Sequence, residues 1–236
     1  MTYTGELTCQ ATKANETYQV RRLKIEDLSA ILNVQQVVLD TLEKKDTLQP
    51  LSNDEFRTIL EGNGLMLGVI VRNHLVAFRA LWFPREDKEN LGRDLGLSVD
   101  EQMKVVHQEI SSVHPDYRGN GLQKRLAFLV MKELENMNGS YHYVCCTVHP
   151  FNLPSLKDKL SQGLLIAKVK EKYAGHLRYI FMRELQREMR LDNDGAKLIA
   201  LEDLEGQKRL LEQGYYGYEL FQKEGQLMVG FAKPIL

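Results

Sequence analysis

Residues Val113 to Gln123 read V-H-P-D-Y-R-G-N-G-L-Q and set two glycines, Gly119 and Gly121, between an apolar run and an amphipathic stretch. A backbone with glycine at these positions can approach a ligand with no Cβ in the way. The first N–H groups of a helix starting at Leu122 have no carbonyl partner inside that helix, and the helix dipole makes the same spot favourable for negative charge. The chemistry this spacing favours is capture of a diphosphate by main-chain donors.

Two other phosphate loops are excluded by spacing. No G-x-x-x-x-G-K-[ST] occurs, and Lys124 stands where the dinucleotide fingerprint needs its third glycine. A second set of candidates lies just upstream, where Val105, His107, Glu109, Ser111 and Val113 alternate onto one face of a strand. Glu109 and His107 are the ionisable side chains on that face. Cys145 and Cys146 are adjacent and point to opposite faces of any strand containing them. No Cys-His-acid arrangement accompanies them, so neither reads as an activated nucleophile.

The elements that must position these residues follow from periodicity. Residues 1–17 are polar and without period and read as a loose arm. Tyr18–Leu23 alternates like a strand, and Leu28, Ile31, Leu32, Val34, Val37, Val38 and Leu42 recur at helical spacing. Ser52-Asn53-Asp54-Glu55 is a capping box opening a short helix with Phe56, Ile59 and Leu60 on its buried side, closed by Gly62–Gly64. Leu65–Val71 and Leu75–Phe83 form a hairpin about Arg72-Asn73-His74. A charged loop over Pro84–Gln102 leads to the strand Val105–Val113, a helix over Leu122–Met137 and a strand over Tyr141–Val148. A helix over Pro154–Gln162 ends at Gly163, and strands at Leu164–Val169 and Arg178–Leu185 follow. Residues 186–236 add a strand at Ala196–Leu201, a helix at Glu202–Gln213 and a hairpin, Tyr215–Phe221 with Leu227–Phe231, turned at Glu224-Gly225.

That order predicts a mixed α/β sheet rather than serial βαβ repeats. The chain of 236 residues, 43% hydrophobic, is long enough for one large domain with an appendage. A net charge of −1 with interspersed signs gives no basic surface for nucleic acid. Three cysteines fit a reducing cytoplasm, and the absence of C-x-x-C and H-E-x-x-H spacing implies no metal. No run approaches the roughly 18 apolar residues of a membrane span, and no basic, apolar leader opens the sequence, so neither export nor insertion is expected.

The turn resembles the acetyl-CoA-binding loop of the GNAT (GCN-related N-acetyltransferase) superfamily, [RQ]-x-x-G-x-[GA] preceded by V-x-P-x-[YW], here Val113-His114-Pro115-Asp116-Tyr117 and then Arg118 to Gln123. Gln123 departs from the Gly or Ala usual at the last position. A second element of that superfamily, V-x-P-x-N-x-x-[SA], is matched by Val148-His149-Pro150-Phe151-Asn152-Leu153-Pro154-Ser155, with Gly163 eight residues on. The resemblance spans residues 18–185 and leaves 186–236 outside. It implies a mixed, mostly antiparallel central sheet flanked by helices, with a small C-terminal α/β extension. It also implies that the backbone of Arg118, Gly119, Asn120, Gly121, Leu122 and Gln123 holds the diphosphate of acetyl-CoA. The strand ending at Val113 would pair with the pantetheine arm, and Asn152 and Ser155 would border it.

By the same resemblance the activity is N-acetyl transfer to a primary amine, in a small molecule or a peptide, by direct attack in a ternary complex. The superfamily often places an acid on the strand before the turn, which makes Glu109 the first candidate for a general base, acting directly or through water, and His107 the second. Attack needs the neutral amine. At pH 7 a lysine-like amine costs roughly 4.6 kcal/mol to deprotonate and an α-amine about 1, so a base matters most for the former. Many relatives protonate the leaving thiolate with a tyrosine seven residues after the motif asparagine, where this chain has Lys159. Lys159 could donate that proton or stabilise the thiolate charge, but as a helix-surface lysine it reads first as solvated; Tyr173 is another possible donor, with aromatic packing or turn structure as its first reading. The missing tyrosine raises the alternative of a catalytically silent acyl-CoA-binding sensor or interaction module. Trp82 and Phe83 read first as core, and the extension as a docking or homodimer element.

Overall fold

The computed structural model describes residues 3–42, 48–137, 139, 141–173 and 175–235. The chain divides into two compact units, Met1–Phe83 with Gln108–Gly139, and Pro84–His107 with Ser140–Leu236.

The first unit contains β1 (Tyr3–Thr8), β2 (Asn15–Arg22), α1 (Leu28–Asp40), α2 (Asn53–Thr58), β3 (Gly64–Val71), β4 (His74–Trp82), the later part of β5 (Val105–Val113) and α5 (Leu122–Glu135), which follows the short helices α3 and α4 in chain order. Its strands lie in the order β1-β2-β3-β4, then β5, and β1 to β4 pair antiparallel. The expected capping box opens α2, with Ser52 accepting from the Glu55 N–H at 3.3 Å and the Glu55 carboxylate accepting from the Ser52 N–H at 2.7 Å. At the β3–β4 turn both Arg72 (φ 47°) and Asn73 (φ 65°) are left-handed, as a two-residue hairpin of this twist requires. Ile31, Phe56, Met66 and Phe78 meet in one core, the two phenylalanines edge to face at 5.9 Å. Trp82 packs against this core and Phe83 is buried.

The arm expected over residues 1–17 is instead a β-hairpin; its first two residues lie outside the described ones. Its pattern escaped the hydrophobic reading because one of its inward residues is charged. Glu16 is buried, yet its carboxylate is met by Arg72 at 3.1 Å and by the Tyr117 hydroxyl at 3.2 Å.

The second unit holds α3 (Leu91–Asp94), α4 (Val99–Gln102), the first three residues of β5, β6 (Tyr143–Val148), α6 (Leu153–Ser161), β7 (Leu165–Lys172), β8 (His176–Glu184), β9 (Leu191–Ala200), α7 (Leu204–Glu212), β10 (Tyr216–Lys223) and β11 (Gln226–Pro234). Here β5 runs parallel to β6 over Val105↔Tyr143, Val106↔Val144 and His107↔Cys145, and the remaining order β6-β8-β7-β10-β11-β9 is antiparallel. Both units are thus mixed α/β with mostly antiparallel strands, as expected.

The segment 84–102, expected as loop, carries α3 and α4, the latter opened by a second capping box, Ser98 with Glu101. Asp94 fastens α3 to β7: Lys170 and Lys172 bond its carboxylate, the latter at 3.1 Å, while Lys168 Nζ donates to its carbonyl at 2.6 Å. Strand β7 therefore continues to Lys172, beyond the Val169 expected from apolar alternation alone. Among the described residues no helix is long and apolar enough to cross a membrane.

Candidate functional site

The turn before α5 is built in the first unit. Pro115–Tyr117 form a single 3-10 turn, and the His114 imidazole accepts the Asp116 N–H at 3.3 Å, which gives that histidine an orienting job. Gly119 (φ 81°) and Gly121 (φ 67°) are left-handed, and a Cβ built on Gly121 would meet open space. The glycines are demanded by backbone conformation and not by crowding.

Gly121 sits at the N-cap of α5 and no side chain caps that helix. Ser52, Asn152 and Asp203 by contrast each cap their helices with a side-chain oxygen. A 14-residue helix thus begins without a capping side chain among the described residues, beside a turn whose two glycines carry no Cβ. Such a start fits a diphosphate.

The turn is held rigid from its outer side. The Thr8 N–H donates to Asn120 Oδ1 at 2.9 Å, and Asn120 Nδ2 donates to the Thr8 carbonyl at 2.8 Å and the Tyr117 carbonyl at 3.1 Å. Gln10 N–H donates to the Asp116 carbonyl at 2.6 Å, and Arg118 Nη2 to Thr41 Oγ1 at 3.0 Å. Burial and the Glu16 carboxylate push the Tyr117 phenol up to about 12, so it stays a neutral donor. The side chains of Asn120 and Arg118 are committed to bracing.

Leu122 is buried and anchors the first turn of α5. Sequence reasoning passed over Arg79, which is 0% exposed and donates to the Gln123 carbonyl at 3.4 Å and to Gln108 Oε1 at 2.6 Å. It places a positive charge under the helix start. The signal was there: an arginine interrupting the apolar run Val76-Ala77-Phe78-Arg79-Ala80-Leu81.

Along β5, Gln108, Ile110 and Ser112 are buried while Glu109, Ser111 and Val113 are half-exposed, so the expected alternation holds from Gln108 onward, whereas Val105 and His107 of the same set are buried. On that face the Ser111 hydroxyl oxygen is buried and has no hydrogen-bond partner among the described residues. A polar atom so placed costs free energy unless something fills its site.

His107, Asn152 and Ser155 fall in the second unit. His107 is buried and its Nε2 accepts the Leu91 N–H at 3.1 Å, where α3 begins. Taking a proton at that nitrogen would break the bond, which weakens its case as a base. Asn152 caps α6 by accepting the Ser155 N–H at 3.1 Å.

Lys159, expected to be solvated, is 6% exposed, with Asp158 at 3.4 Å and equally enclosed. Tyr173 pairs with the Thr147 hydroxyl at 3.0 Å. Complete burial, with Cys146 as a smaller influence, pushes the Cys145 thiol far above its ordinary range and leaves it unreactive.

No family model matches the sequence, and no curated protein matches it. Solved structures do. The ribosomal-protein-S18-alanine N-acetyltransferase from Escherichia coli aligns at 17% identity over 75% of this chain and 97% of its own, with a TM-score of 0.53. NAA60 from Arabidopsis thaliana, solved in complex with acetyl-CoA, aligns at 14% identity over 72% and 99%, with a TM-score of 0.56. The GNAT domain of S. lividans PAT aligns at 11% over 77% and 97%, with a TM-score of 0.52. At such identities the likeness is one of architecture, and by that architecture the chain has the GNAT fold of the N-acetyltransferases.

Proposed function

We propose that the chain is an N-acetyltransferase carrying an acetyl group from acetyl-CoA to a primary amine by direct attack, both substrates bound together. The observation that carries this reading is the glycine-framed, uncapped start of α5, in a fold shared with N-acetyltransferases. The N–H groups of Arg118 to Gln123 take the diphosphate. An anion at a helix start gains about 0.3 to 1 kcal/mol, and charge-assisted N–H bonds add roughly 1.5 to 3 each before desolvation is subtracted. Binding is thus mostly main-chain borne, with Arg79 strengthening the field from below.

Val113 and its strand lie along the pantetheine arm, Asn152 and Ser155 border it, and a backbone N–H near Val113 donates to the thioester oxygen as negative charge develops there. The neutral amine nitrogen bonds the acyl carbon, the carbon–sulfur bond breaks with its electron pair leaving on sulfur as CoA thiolate, and the proton shed by nitrogen passes to the Glu109 carboxylate. Holding amine and thioester in register supplies much of the rate. Ser111 offers its unmet hydroxyl to the same face. His107 is a lesser candidate base, and Cys145, buried and protonated, takes no acyl group.

The acceptor is a primary amine of a small molecule or a peptide, neither nucleic acid nor membrane, and three free, buried cysteines suit a reducing compartment such as the cytoplasm. A silent acyl-CoA sensor is the second reading. It draws on Lys159, which stands where relatives keep a tyrosine and is enclosed beside Asp158. Thiol release from acetyl-CoA across a panel of amines separates the two. We expect turnover with at least one amine, and Glu109→Gln to slow it by about 10² to 10⁴ with acetyl-CoA affinity unchanged. Binding without turnover for every amine selects the sensor.

A further inference from the structure

The C-terminal extension repeats the element order that precedes it. Strand β6, helix α6 and the β7–β8 hairpin recur as β9, α7 and the β10–β11 hairpin. The two helices have nine residues each, the first hairpin strands eight each and the second nine each.

The match extends to single residues at one step along the chain, that from Asn152 to Asp203, through the helix and the first hairpin strand, and at a step one residue shorter, that from Phe181 to Phe231, in the second strand. Asn152 caps α6 through the Ser155 N–H, and Asp203 caps α7 through the Gly206 N–H at 2.8 Å. Leu153, Leu160 and Gln162 recur as Leu204, Leu211 and Gln213, and the closing glycines Gly163 (φ 75°) and Gly214 (φ 83°) are both left-handed. In the ladders Ile166 pairs with Phe181 and Gly217 with Phe231, and a register shift follows each, at Ile166/Lys168 and at Gly217/Glu219. A ladder irregularity at the same place in both hairpins marks one motif used twice.

The placement of the two motifs is equally regular. They meet where Ile166 pairs with Gly217, and these are equivalent positions of the repeat. Strands on either side run β6-β8-β7 and then β10-β11-β9, mirrored about that pair, while α7 packs on β7 and α6 on β10. Equivalent residues bridged antiparallel, with equivalent helices crossing over, define a local two-fold axis, the arrangement of an isologous dimer. The Tyr179 hydroxyl on β8 donates to Gln207 Oε1 on α7 at 2.5 Å, across the two halves.

We infer that residues 191–234 are an internal copy of the β6–α6–β7–β8 motif, docked on the β7 edge as a second subunit would dock. The copy has no counterpart of the Arg118–Gln123 turn, because what stands at that distance before α7 begins with the last residues of β7, Val169–Lys172. Its role is that of a built-in partner. It covers an edge strand that would otherwise be open to another chain, and it steadies α6 and the β7–β8 hairpin. The surface on β7 accordingly fits one kind of partner, a β-α-β-β motif of this same chain, and the intact protein uses its own. This inference is independent of the acetyl-transfer reading.

A cysteine pair, Ile166→Cys with Gly217→Cys, reports the docking in the full-length protein, since residues paired directly across antiparallel strands lie within disulfide reach. The intact chain is expected to sediment as a monomer of 27.2 kDa and to form the cross-link within one chain. Removing Gln186–Glu188 from the β8–β9 connection should force the copy onto a neighbouring chain: mass doubles and the same cysteines link two chains. Restoring the length with glycine and serine should return the monomer. A between-chain link in the intact protein, no link at all, or a folded monomer after shortening would each overturn the inference. Should the shortened chain fail to fold, the cysteine pair in the intact chain still decides.

Discussion

Cys145 and Lys159 show how little a residue's type says about its chemistry before its surroundings are known. The thiol of Cys145 is held in its neutral form by burial, so Cys145→Ala should keep turnover within about twofold of the parent while losing roughly 1 kcal/mol of stability to the small void. Steady-state rates together with a denaturant melt check both parts, and loss of turnover in a folded variant would revive an acyl-enzyme route. Lys159 read as a surface lysine because helical spacing alone does not reveal which side a short helix buries. The internal repeat does: the equivalent position in α7 is Leu210, also buried, so Lys159 occupies an apolar slot with a charge. Burying a lysine is costly unless it is partnered, and Asp158 supplies one partner. Glu109 and Val113, by contrast, follow strand alternation and stand on the face expected of them.

At the scale of elements, the glycine turn before α5 depends on a hairpin that the hydrophobic pattern conceals. Asn120 ties the turn to Thr8 through both of its amide atoms, so Asn120→Ala should leave part-buried backbone groups unmet and cost about 1 kcal/mol. Because the loosened turn must be ordered again on binding, acetyl-CoA affinity should fall roughly tenfold, read by calorimetry beside a thermal melt. The fastening of α3 to β7 makes a second prediction. Burial alone would raise the Asp94 carboxyl, but its bonds from Lys170 and Lys172 outweigh that and hold it below its ordinary value of 3.8. A depressed carboxyl contributes stability that is complete above that value and fades as pH falls through the lower, folded one. Asp94→Asn should therefore be less stable than the parent at neutral pH, with the two curves converging below about pH 3.8. Parallel melts from pH 7 to 2.5 test this, and a constant gap across the range would contradict it.

For the molecule as a whole, the sequence disclosed the parts governed by local rules. The glycine turn, the strand leading to it, the capping box at Ser52 and the hairpin at Asn73 each rest on a backbone conformation or a pairing that near neighbours dictate. What escaped depended on distant partners. The β1–β2 hairpin hides Glu16 behind Arg72 and Tyr117, the Arg79 charge is tolerated because Gln108 and the Gln123 carbonyl receive it, and α3 stands because Asp94 finds the β7 lysines. The repeat went unread because its two copies share a pattern of caps, glycines and ladder shifts more than they share side chains. All of these features matter to function through one proposition, that main-chain donors at the start of α5 hold the diphosphate of acetyl-CoA. Calorimetric titration with acetyl-CoA and with acetyl-pantetheine, which lacks the diphosphate, tests that proposition most directly. We expect one acetyl-CoA per chain and at least roughly hundredfold weaker binding of acetyl-pantetheine, the worth of about two charge-assisted bonds. Equal affinity for the two compounds, or no heat with acetyl-CoA, would contradict it.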